Sequence, residues 1–284
     1  HPSEIVLSDR HMADTVRPAF ECVFTPLPDK FFHADKGEAS LLAQLSAKHL
    51  ANLDAEHLTV GLSAIAALLH YAQHTQGQAL RHVQGLTVVR SEHYLTLDAA
   101  TRRNLEITET LRGQESPTLF SLLDGCATSM GSRLLKRWLH HPLRPAATVL
   151  ARQTAIATLL NQRTHAVLRP HLAALCDVER ISARIALNTV RPKELAALRD
   201  SLMQLDAARA VLPEQGGELL DMLARAVHVP DGLLELLQRA VLSEPSTFVR
   251  EGGVIADGFD AQLDEYRGLQ TTSGAFLLDL EARE

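Results

Sequence analysis

Three kinds of residue are scarce in this chain, and each scarcity removes a class of protein. Only Cys22, Cys126 and Cys176 carry thiols. They are too few and too far apart for a disulfide framework or a Cys-x-x-Cys metal site, so a reducing compartment, the cytoplasm, is the expected location. Aromatic residues make up 4% of the sequence while Leu and Ala are plentiful, a balance that suits helix–helix packing and disfavours an all-β core. Positive charge is also short: 28 Lys and Arg face 34 Asp and Glu, for a formal charge of -6. No global field draws nucleic acid to the chain, so any DNA contact has to be local. No apolar run approaches the ~18 residues of a membrane span, and no basic-then-apolar leader opens the sequence. A soluble chain without a membrane partner is expected.

What is present is ample for a core. Apolar residues are 46% of 284, and that length predicts about two domains. Glu4 to Leu7 and Phe20 to Phe24 are short β-prone runs, and helices are predicted over Glu38 to Leu50 and Thr59 to Thr75, so the first part reads as α/β. Leu86 to Arg90 and His93 to Leu97 flank Ser91-Glu92 as a candidate hairpin. The predicted boundary lies just before it, near Gly85.

From Asp98 onward helical signals dominate. Asp98 is a candidate N-cap for Ala99 to Leu111, Ser116-Pro117 opens a further helix, and Thr128 or Ser129 opens one running to His140. Apolar periodicity continues over Thr148 to Asn161, Thr164 to Ala174, Val178 to Leu187, Pro192 to Leu212, Glu218 to Val227 and Leu233 to Leu242. Phe259, Leu263 and Tyr266 start a stripe that Leu277 and Leu280 resume. The chain opens on His1-Pro2-Ser3 and closes on a helix-forming run with no stop signal, so both ends read as cut.

Chemistry is sought in vain in most places. None of the five lysines (Lys30, Lys36, Lys48, Lys136, Lys193) follows a glycine, which removes the Gly-Lys of a phosphate-cradling loop. Gly61-Leu62-Ser63-Ala64-Ile65 lacks the second glycine of a nucleophile elbow and reads as helix. His70 and His74 are spaced to share a metal, but no acidic residue or third ligand accompanies them, so a solvated or partly packed pair is expected.

Two segments carry more information. In the run Met130 to His140, Met130, Leu134, Leu135, Trp138 and Leu139 form an apolar face, which predicts a core position for Trp138. Arg133, Lys136, Arg137 and His140 recur at i, i+3, i+4 and i+7 on the other face. This basic stripe is a candidate weak patch for DNA or an acidic partner; the plainer reading is a solvated face suited to a helix C-terminus. Asp98, Arg102, Arg103, Asn104 and Glu106 are interleaved with apolar residues, the composition of a helix wedged at a structural junction, with its polar groups paired across an interface.

Leu97 to Ile107, Leu122-Leu123-Asp124, Met130 to Leu139 and Pro142-Leu143 together resemble, in order and spacing, the core-domain signature of the MutS DNA mismatch-repair family. Asp177 to Ile181, Arg191-Pro192 and Gly252 to Gly258 extend the resemblance over nearly the whole chain. It implies a multi-domain, predominantly α protein. Residues 1–85 would be the C-terminal part of an α/β, RNase H-like connector, residues 86–265 a helical core and lever bundle, and 266–284 the start of a lever helix entering a clamp. It also implies an internal segment of a homodimeric protein that meets mismatched duplex DNA and a MutL partner, the connector facing MutL. ATP and Mg are the family's cofactors, but none is expected here, because the Phe-x-Glu mismatch reader and the ATPase motif are both absent. The expected role is transmission without catalysis. Composition alone would favour a stand-alone helical scaffold for protein partners, since neither an enzyme site nor a basic field is present, and the flanking sequence would discriminate the two.

Overall fold

In the computed structural model residues 2–8, 20–77, 80–213 and 215–269 are described. The chain divides into two units, His1–Arg90 and Ser91–Glu284. The first pairs strand β1 (Glu4–Leu7) with β2 (Val23–Pro26) in parallel, Glu4 opposite Val23 and Leu7 opposite Pro26. Two helices follow, α1 (Ala34–Leu45) and α2 (Thr59–Gln76). They pack closely because α1 presents buried Gly37 to α2, where a Cβ would overlap the Leu62 carbonyl. Tyr71 of α2 donates to the Glu4 carboxylate at 2.6 Å, and Thr25 of β2 donates to the same oxygen. Those hydroxyls hold the Glu4 carboxyl below its usual range. Gln44 extends from α1 to donate to the carbonyls of Leu80 and Val83.

The second unit is helical: α3 (Ala99–Asn104), α4 (Leu119–Leu123), α5 (Ser129–His140), α6 (Ala146–Asn161), α7 (Thr164–Ala173), α8 (Val178–Ala186), α9 (Pro192–Ala210), α10 (Glu218–Ala226) and α11 (Leu233–Ala240). Residues 261–269 are helical as well. The predicted stripe residues Leu277 and Leu280 fall outside the described residues. The core gathers Ile181 of α8, Ala196, Leu198 and Leu202 of α9, and Leu237 and Val241 at the end of α11. Seven residues of α9 are buried, so this helix is enclosed on more than one side and serves as the unit's central post.

Three expectations are corrected. The predicted hairpin does not form: residues 86–90 are irregular and Ser91–His93 is a 3-10 turn. The β-prone residues instead pair with the segment after α5, Tyr94 bridging Leu143 while the Leu95 amide donates to the Pro142 carbonyl at 2.9 Å. Ser91-Glu92 lacks the glycine or asparagine that would tolerate a tight hairpin turn, and the extended Pro142 segment offers an alternative edge. The predicted helix Ala99 to Leu111 stops at Asn104, because Glu106 adopts a left-handed backbone, φ 45°. That turn buries Ile107, 3% exposed, and frees the Glu106 and Ile107 carbonyls to accept from the Leu119 and Phe120 amides. The following helix is capped by Thr118, not Ser116, through a reciprocal pair with Ser121.

Candidate functional site

Among the described residues of the second unit, one polar cluster is built on α5 and α8. Thr128 caps α5 by accepting from the Gly131 amide at 3.0 Å, which fixes the helix start and orients its first turns. Arg133, one turn in, reaches Asp177. Its Nη1 and Nη2 donate to the two carboxylate oxygens at 2.7 Å each, and Nη2 also donates to Glu179 at 2.6 Å. Ser129 donates a further bond to Asp177 at 2.8 Å, and the Asp177 carboxylate caps α8 by accepting from the Arg180 amide. A fork of this kind matches the planar guanidinium to the carboxylate and fixes direction as well as distance. The Arg133 guanidinium beside Asp177 holds its carboxyl well below the usual carboxylate range, and the two acids raise the Arg133 pKa still further. The Arg133–Asp177 pair therefore stays charged at neutral pH. It joins helices more than forty residues apart in sequence.

A second link ties α9 to the approach of α8: buried Ser201 accepts from the Cys176 amide at 2.8 Å. Nearby, Asp124 accepts from Ser132 at 2.9 Å, and Arg169 donates to the Gly125 carbonyl at 2.7 Å. Each of these contacts fixes one helix against the chain leading into another.

The basic stripe of α5 is divided among different tasks. Arg133 is committed to Asp177 and Glu179. Lys136 lies over the Phe120 ring at 5.9 Å, and Arg137 is exposed. His140 shares a 3.0 Å hydrogen bond with Thr108. Burial, then the charges of Arg102, Lys136 and His141, push the His140 pKa down. Among the junction residues, Asp98 caps α3 by accepting from the Thr101 amide at 2.6 Å, and Arg102 donates to the Leu97 carbonyl at 3.0 Å. Glu106 accepts from the Leu111 amide at 2.7 Å, and Arg103 and Asn104 are exposed. The bonds of Asp98, Arg102 and Glu106 are local, and only Arg102 lies close enough to the end of α5 to act on His140.

Trp138 corrects an expectation. It is 39% exposed, as Leu134 is 47% exposed, and no residue of α5 is fully buried. The Arg152 guanidinium of α6 stacks on the Trp138 ring at 3.6 Å, taking the place of an apolar neighbour. Periodicity identified an apolar face but had no means of showing what covers it.

Gly252-Gly253 is the only glycine pair besides Gly216-Gly217, and it leads into an extended bridge between Val241 and Ile255, not into a helix N-terminus. No lysine follows it. His70 stacks on Phe31 at 3.8 Å and on His74 at 6.3 Å, and among the described residues no three His, Cys, Asp or Glu converge as metal ligands. No helix among them is long and apolar enough to cross a membrane.

What this arrangement defines is a helical bundle, several short helices held to one another and to α9 by charged and backbone-directed bonds. The family model of MutS domain III matches residues 100–284, well over half of the chain. The chain belongs to the MutS family of DNA mismatch-repair proteins, and the helical unit is its domain III.

Proposed function

We propose that this chain transmits conformational change between the DNA-contacting and nucleotide-hydrolysing parts of a MutS protein and catalyses nothing itself. The observation that supports this reading is the Arg133–Asp177–Glu179 cluster, which links two separate stretches of domain III. A rigid piece carries a displacement from one end to the other; a loosely packed one absorbs it. Mispair recognition, ATP and Mg belong in this reading to other domains, and dimerisation and DNA contact to the whole protein.

In the intact repair protein, Arg133→Met should leave mismatched-duplex binding and ATP hydrolysis within a few-fold of normal. The effect of ATP on release from the mismatch should weaken about tenfold. Unchanged coupling would overturn the reading, and so would saturable ATP binding by this chain alone in calorimetry. The unit His1–Arg90 is proposed as the MutL-facing connector. Binding of MutL that disappears when residues before Gly85 are deleted would support this, and binding that survives the deletion would refute it.

A further inference from the structure

Arg199 lies on α9 with its side chain only 10% exposed, a position where an unsatisfied guanidinium is costly. Its Nη1 donates to the carbonyls of Val241 at 3.1 Å and Leu242 at 2.9 Å, its Nη2 to that of Ser243 at 3.2 Å, and its Nε to Asp200 at 2.9 Å. These three carbonyls follow directly on α11, where a helix runs out of internal donors. The same short segment is bonded along its other edge. The Leu242 amide donates to Val254 at 3.0 Å and the Ala256 amide to Ala240 at 2.9 Å, around the Val241–Ile255 bridge.

A second guanidinium closes the series. Arg267, on the helical residues 261–269, donates from Nη2 to the Ile255 carbonyl at 2.8 Å and from Nη1 to Asp257 at 2.7 Å. Its neighbour Asp264 accepts from the Gly258 amide at 2.8 Å. Phe259 and Tyr266 are 37% and 60% exposed, and with Ile255 and Leu263 they line an open groove of about 310 Å³.

We propose that Arg199 and Arg267 are positioning residues at the two ends of a backbone strap, 241–243 against 254–256, that sets where the helix at 261–269 leaves the core. Any shift of α9 is then handed to that helix through hydrogen bonds in series. The inference rests on the transmission reading for its purpose but not for its geometry.

Hydrogen exchange on the 284-residue chain tests it. Arg199→Met should accelerate amides in 241–243, 254–256 and 261–269 at least tenfold, and leave α5 unchanged. Arg267→Met should accelerate 254–258 and 261–269 and spare α11. Because the links are in series, the double variant should loosen 261–269 no more than the stronger single one. Arg199→Lys keeps the charge but loses the fork, and should loosen the strap to an intermediate degree. Acceleration confined to 241–243 in Arg199→Met, or an unchanged 261–269 in Arg267→Met, would overturn the strap. If Arg199→Met loosens the whole bundle, Arg267→Met alone decides. A failed strap leaves the Arg133 coupling experiment standing, and a failed coupling experiment leaves the exchange pattern standing.

Discussion

Asp177 has two tasks on one carboxylate: it caps α8 and it receives the Arg133 fork. Its folded pKa lies below the ~3.9 of an unfolded aspartate, so the unfolded chain binds more protons in acid. The stabilisation is complete at neutral pH and is lost as pH falls through the unfolded value toward the folded one. Asp177→Asn keeps a capping oxygen but not the charge, and should cost about 1–2 kcal/mol at pH 7, between an exposed pair and a buried network. By pH 3 that gap should narrow by about 1 kcal/mol. Urea melts of both chains at the two pH values check this, and a pH-independent gap would show that the charge contributes nothing. Trp138 lies at the other extreme. A fully buried aromatic truncated to Ala costs ~3–5 kcal/mol, but Trp138 is part-exposed and the Arg152 guanidinium stacks on its ring. Trp138→Ala should therefore cost less than about 2 kcal/mol, read as a small shift in melting temperature.

At the scale of elements, helices were legible wherever local signals and tertiary packing agree. The spacing predicts Thr59 to Thr75 and Val178 to Leu187, and the helices run Thr59–Gln76 and Val178–Ala186. Of the two residues expected to open the helix that runs to His140, Thr128 is the cap. Illegible were features decided by distant partners. Nothing near Glu106 announces a left-handed turn, since the gain is burial of Ile107 and carbonyls aimed at α4. Nor does α9 advertise that Arg199 faces inward, because its acceptors lie more than forty residues away. Gly37 is a third such case: an ordinary glycine inside a helix, conspicuous only once Leu62 is seen against it. Gly→Ala in a helix interior normally stabilises by up to about 1 kcal/mol. Here the added methyl must displace backbone, so Gly37→Ala should destabilise by about 1–3 kcal/mol. Thermal denaturation gives the sign, and a stabilised variant would mean α1 and α2 sit further apart.

Taken whole, the molecule should be a poor ligand for DNA although its family repairs DNA. Duplex affinity comes largely from neutralised phosphates and falls steeply with salt, whereas this chain carries a formal charge of -6. The one basic stripe evident in its sequence is further depleted in the fold. Arg133 is neutralised by Asp177 and Glu179, and His140 is pushed toward its neutral form, which leaves Lys136 and Arg137 on that helix. Two cations on three turns of helix make few phosphate contacts. Reading a mispair needs an apolar wedge beside an unstacked base, and the Phe-x-Glu associated with that task occurs nowhere in the sequence. The chain should therefore bind matched and mismatched duplexes equally and weakly at about 50 mM salt, and barely at about 150 mM, in fluorescence anisotropy. Arg137→Glu should lower the residual affinity, while Arg133→Gln should change it little because that charge is already spent within the fold. Tight binding that persists at the higher salt, or a several-fold preference for the mismatch, would show that domain III reads DNA directly and would end the transmission-only account.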